Sequence, residues 1–176
     1  TAEMDTLVAG KLVISDTARI FLTNQLVVVM PAKNSANLQT LADLSKPRLK
    51  IVLAAKEVPV GSYAAQSLGK LDASLGAGFK DKVLANVVSY ENDVKQIVAK
   101  VLLGEADAGI VYASDAVAAP DLKKIDIPVD SNVMARYPLA PLAQSKNPEL
   151  ARSFVAAVLS AEGQAILQRW GFAPIR

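Results

Sequence analysis

Four short runs constrain this chain more than any other feature. Leu26-Val27-Val28-Val29-Met30, closed by Pro31, is apolar, β-branched and uninterrupted, the pattern of a strand buried on both faces. Lys50-Ile51-Val52-Leu53-Ala54 and Ala108-Gly109-Ile110-Val111-Tyr112 read the same way, and Asn86 to Tyr90 reads as a further strand. Helical patterns separate them: Leu38 to Leu44, Val60 to Leu71, Phe79 to Val83, and Asp93 to Leu103 with Val94, Ile97, Val98, Val101 and Leu102 on one face. Strands alternating with helices predict an α/β fold with mainly parallel sheets flanked by helices. In such sheets ligands bind beyond the carboxyl ends of the strands, where helices begin. The remaining segments predict a helix from Glu3 to Val8, a short helix from Ser15 to Phe21, strands at Ile125 to Pro128 and Leu139 to Ala143, and closing helices at Pro148 to Leu159 and Glu162 to Trp170.

Composition removes whole classes of chemistry. Among the 176 residues there is no Cys and no His, so disulfides, thiolate or imidazole metal sites, Cys nucleophiles and Ser-His-Asp triads are all excluded. Nineteen basic residues against seventeen acidic ones, a net charge of +2, offer no basic stripe for nucleic acid. No phosphate loop, dinucleotide fingerprint or carboxylate metal-loop spacing occurs, so no enzyme is expected. The longest uncharged run, Ile20 to Ala32, is too short and too polar to span a bilayer. The chain opens Thr-Ala-Glu without a leader pattern, the expectation for a chain that has been processed or cut.

Three strand-to-helix turns are candidate anion sites. In Lys56-Glu57-Val58-Pro59-Val60-Gly61-Ser62-Tyr63, Pro59 suits the first helical position, and the amides of Val60, Gly61 and Ser62 are expected to project from the helix start. Gly61 is expected to let a ligand approach the backbone. In Tyr90-Glu91-Asn92-Asp93-Val94, Asn92 or Asp93 caps the helix and leaves the Val94 amide at its positive end. In Gly109 to Ala116, Tyr112 at a strand exit places a hydroxyl at the sheet rim. Taken singly, these turns read more readily as an ordinary helix start, a cap and a packed ring.

Taken together, and in this order, they resemble the molybdate-binding proteins of ABC importers, type II members of the two-lobed periplasmic solute-binding class. The resemblance rests on Met4-Asp5, Asn24 to Pro31, Val58 to Ala64, Glu91-Asn92-Asp93-Val94, Gly109-Ile110-Val111-Tyr112-Ala113-Ser114-Asp115-Ala116, Tyr137-Pro138-Leu139-Ala140 and Arg169-Trp170-Gly171-Phe172. It implies a bare tetrahedral oxyanion, molybdate or tungstate, held without cofactor or metal cation by the Val60 amide, the Val94 amide and the Tyr112 hydroxyl. It also implies export to the periplasm or the outer membrane face, and a membrane permease as partner. The family draws two further Ser ligands from an opening segment that has no counterpart here. The expected organisation is therefore a partial first lobe, 1–31 with 135–176, and a complete second α/β lobe, 32–134. Such a chain is expected to self-associate or to hold the missing segment as a separate chain. Rival readings are a protein for another oxyanion or a small organic acid, and the effector-sensing domain of a transcription regulator with the same fold.

Overall fold

The computed structural model describes residues 1–174, leaving aside the side chain of Ala2. In chain order the elements are α1 (Ala2–Ala9), β1 (Arg19–Asn24), β2 (Leu26–Pro31), β3 (Ile51–Ala54), α2 (Pro59–Leu75), α3 (Phe79–Ala85), β4 (Val87–Glu91), α4 (Val94–Leu102), β5 (Ala108–Tyr112), α5 (Ala113–Ala118), β6 (Leu122–Asp126), β7 (Ala135–Leu139), α6 (Pro148–Leu159) and α7 (Ala161–Arg169). Short 3-10 turns stand at Ser15–Thr17, Leu41–Ser45 and Val129–Ser131. No single helix among the described residues is long and apolar enough to cross a membrane.

The chain divides into two compact units, Thr1–Asn24 with Ala135–Arg176, and Gln25–Met134. The second contains a five-stranded sheet ordered β4-β3-β5-β2-β6. Strand β3 runs parallel to both β4 and β5, while β2 runs antiparallel to β5 and β6. The sheet is thus mixed, with the parallel pairs confined to the three strands that feed helices α2, α4 and α5. Two apolar layers hold it: Val60, Ala64, Leu68 and Leu71 of α2, and Ile97 and Val101 of α4, are buried with Leu26 to Val29, Ile51 to Leu53 and Ile110. Gly109 makes the α4 contact close, since a Cβ there would lie 2.5 Å from the Ile97 methyl.

Three expectations are corrected here. The Leu26 strand, expected in the first lobe with a bare edge, is an interior strand of the second unit's sheet, and Leu26 to Val29 are fully buried. Its β-branched run satisfies neighbours on both edges, so the boundary falls after Asn24 rather than after Pro31. Ser15 to Phe21 is a single 3-10 turn followed by strand β1, not a helix. The strands expected at Leu139 to Ala143 and Ile125 to Pro128 begin earlier, at Ala135 and Leu122, with Leu142 making only a lone bridge to Val13.

Asn132 secures the entry of β2. Its buried side chain accepts from the Leu26 amide at 2.9 Å and donates to the Leu26 carbonyl at 2.9 Å and the Ile127 carbonyl at 3.3 Å. Asn132→Ala leaves these buried backbone groups without their partner. The expected loss is about 2–3 kcal/mol of stability, measurable by urea denaturation, and an unchanged midpoint would show that the backbone re-pairs locally.

In the first unit, β1 and β7 form a two-stranded antiparallel sheet with an irregularity between Ile20 and Leu22. Gln164 of α7 donates to the Phe21 carbonyl and anchors that helix to β1. Tyr137 and Phe172 meet edge to face at 6.2 Å. Neither α6 nor α7 has a buried residue.

Candidate functional site

Because β3 lies between β4 and β5 and runs parallel to both, the carboxyl ends of the three strands open on one edge of the sheet. The register pairs Ala54 with Glu91 and Val52 with Gly109, so all three strands end at nearly the same level. The three turns singled out in the sequence leave from these ends, and the fold brings Val60, Val94 and Tyr112 to that one edge within the second unit.

The first turn is knitted by successive hydrogen bonds. The Ala55 amide donates to the Glu91 carbonyl at 2.9 Å, the Val58 amide to the Ala55 carbonyl at 2.9 Å, and the Gly61 and Ser62 amides to the Val58 carbonyl at 2.9 and 3.2 Å. Of the three amides expected to project from α2, two therefore close the turn. The Val60 amide alone has no acceptor among the described residues. Pro59 at the first helical position has no amide to satisfy, and the buried Val60 side chain fixes the turn onto the sheet. Gly61 has a different reason from the one expected. A Cβ there would lie 2.5 Å from the Ala54 oxygen and closer still to the Ala55 oxygen. Its missing side chain lets the start of α2 nest on the end of β3; it does not open the backbone to a ligand.

At the second turn Asp93 caps α4, its Oδ1 accepting from the Gln96 amide at 3.0 Å, while the Gln96 side chain accepts from the Asn92 amide at 3.3 Å. This reciprocal cap satisfies flanking donors and leaves the Val94 amide at the helix start without a protein acceptor among the described residues. Glu91, just before it, is buried, and its Oε1 accepts from Lys100 Nζ at 2.6 Å and Ser89 Oγ at 2.6 Å. The Lys100 ammonium and the Ser89 hydroxyl hold the Glu91 carboxyl below its usual range.

Tyr112 is half-buried at the end of β5, and its amide donates to Asp115 Oδ2 at 3.1 Å. Burial raises Asp115 above the ordinary carboxylate range, against the opposing pull of that amide and of Lys95. The Glu91 and Asp115 interactions escape sequence reasoning, since the acidic residues beside these turns read there only as caps. No group of His, Cys, Asp or Glu among the described residues is placed to hold a metal ion.

The chain thus carries two compact units, one of them an α/β unit with three helix starts along one sheet edge. The family described as bacterial extracellular solute-binding protein matches residues 1–173, and the chain belongs to it. It is 35% identical over 174 residues to the molybdate-binding protein ModA of Mycobacterium tuberculosis, a match covering 98% of this chain but 62% of that protein's length. The substrate-binding domain of a putative molybdenum ABC transporter from Clostridium difficile superposes with a TM-score of 0.82 at 32% identity, covering 99% of this chain and 74% of that one. The sulfate-binding protein SubI of M. tuberculosis shares the fold at 20% identity, with a TM-score of 0.78 over 99% of this chain and 66% of that one.

Proposed function

We propose that this chain is part of the exported solute-binding component of an ABC importer, and that it takes up a tetrahedral oxyanion, molybdate or tungstate, from the Val60 amide, the Val94 amide and the Tyr112 hydroxyl. The observation that supports the reading is that two amides without acceptors among the described residues stand at helix starts leaving neighbouring strands, on the sheet edge where Tyr112 ends β5. Both lie at the positive ends of helix dipoles, which favour an anion. A dianion that only accepts hydrogen bonds suits an all-donor site, and each charge-assisted bond is worth roughly 1.5–3 kcal/mol. The similarity to molybdate-binding relatives supports the choice of anion. A membrane permease is the proposed partner, and the periplasm or outer membrane face the proposed location.

The second unit supplies a complete half of this site. On this reading the first unit is a partial lobe, and the exposed Leu150 and Phe154 of α6 are the proposed seat for the part that the longer relatives carry outside the matched region. Without that part, the 176-residue chain covers the same face by pairing with a second copy.

Calorimetry on protein carrying the whole first lobe tests the site. Molybdate and tungstate are expected to bind well above sulfate, and phosphate hardly at all, because a protonated phosphate leaves its hydroxyl without an acceptor in an all-donor site. Tyr112→Phe is expected to weaken molybdate binding by roughly 1.5–3 kcal/mol while the fold survives. Phosphate binding as tight as molybdate, or a Tyr112→Phe variant with full affinity, would remove this reading.

A further inference from the structure

Glu91 links the turn before α2 to the body of α4. Its carbonyl takes the Ala55 amide and so begins the chain of bonds, through Val58, that closes the turn before α2. Its carboxylate reaches in the other direction, to Lys100 two turns along α4, with Ser89 of the same strand completing the cluster; Lys100 Nζ stands 3.1 Å from Ser89 Oγ. Along this segment α4 is otherwise held on the sheet by apolar side chains, with Ile97 and Val101 buried and Val94 and Val98 packed against the same core. Apolar packing is non-directional and tolerates a small slide or rotation of a helix, whereas short charged hydrogen bonds do not. A buried carboxylate adds little net stability over an apolar replacement, so its use here points to geometry rather than strength.

We propose that Glu91, gripped by Lys100 and Ser89, is a positioning residue that sets the start of α4, and with it the Val94 amide, in register with the Val60 amide at the start of α2. This rests on the oxyanion reading above. The clamp fixes the spacing of two donors that must meet one small anion together. Neither Glu91 nor Lys100 touches the ligand.

The test uses 15N-labelled protein carrying the whole first lobe, titrated with sodium molybdate and followed through the Val60 and Val94 amide shifts, with urea stability measured in parallel. Lys100→Met leaves Glu91 buried without its cation, and both stability and molybdate affinity are expected to fall, the affinity by about tenfold as for other residues that orient a ligand-binding group. Lys100→Arg keeps the charge and should hold both near the unaltered chain. The paired change Glu91→Gln with Lys100→Met removes the orphaned charge, so stability should recover while affinity stays reduced and the Val94 resonance in the free protein remains displaced. Full molybdate affinity in the paired variant would overturn the clamp and leave the site reading intact. Absence of any molybdate response at Val60 and Val94 in the unaltered protein with its whole first lobe would overturn the site itself, and the clamp with it.

Discussion

Replacing Gly61 by alanine is expected to cost about 3 kcal/mol of stability and most of the oxyanion affinity, although the change adds a single methyl group. The obstacle is backbone. The new Cβ would press on the carbonyl oxygens of Ala54 and Ala55, the last turns of chain leaving β3, and neither can swing aside as a flexible side chain would. Ala55 also donates to Glu91, and its carbonyl holds Val58, so moving it disturbs both helix starts at once. Relief by lifting α2 off the sheet displaces the Val60 amide and opens the seam filled by Val60, Ala64 and Leu68. Gly69, in the same helix, is the control. Nothing lies within 4 Å of a Cβ placed there, and it is exposed, so Gly69→Ala should raise stability by about 0.5–1 kcal/mol through helix propensity. Urea denaturation of the two variants, with molybdate titration beside it, separates the cases. Equal stabilities would mean that the close approach at Gly61 carries no strain.

The Gly61 result illustrates what one sequence conceals. Pro59 and Asp93 announce helix starts by chemistry local to themselves, so the Val60 and Val94 turns were legible from residue types. The purpose of Gly61 depends on what lies opposite it in space, and an open approach and a crowded one demand the same residue. The Glu91–Lys100 pair was hidden for a related reason: its members lie nine positions apart across a turn, a spacing no helical or strand period marks. Strand β2 could be read because its run is uninterrupted, but nothing within the run says which sheet receives it. Strand β1 was missed because Ser15-Asp16 imitates a cap and the irregularity between Ile20 and Leu22 breaks the period-2 alternation that would have declared a strand. The alternation of strands and helices correctly indicated an α/β fold, yet it could not show that β2 enters antiparallel.

The 176-residue chain, prepared as it stands, is expected to sediment and scatter light above its 18.6 kDa monomer mass. The cause lies in the first unit. Leu150 is 69% exposed, Phe154 62% and Trp170 58%, and Ile166, Leu12 and Leu142 are exposed as well. The Phe154 and Leu150 side chains lie one turn apart on α6, so they form a stripe rather than scattered contacts. The sheet beneath offers only two strands, too few for independent stability. Each 100 Å² of apolar surface withdrawn from water is worth about 2.5 kcal/mol, so pairing two such faces gains free energy comparable to the stability of a small domain. Buried β2 removes its own edge as a cause, and the exposed apolar stripe of α6 is the face expected to carry the effect. The decisive variant is Leu150→Glu with Phe154→Glu, two substitutions on an exposed helix face that should return the chain to a monomer and remove any dependence of its urea midpoint on protein concentration. Oxyanion affinity of the chain alone should stay weak in either state, since the two Ser ligands that the family resemblance implies have no counterpart in it. A monomeric unaltered chain at tens of micromolar, or an assembly indifferent to the paired glutamates, would show that the α6 stripe is not what associates.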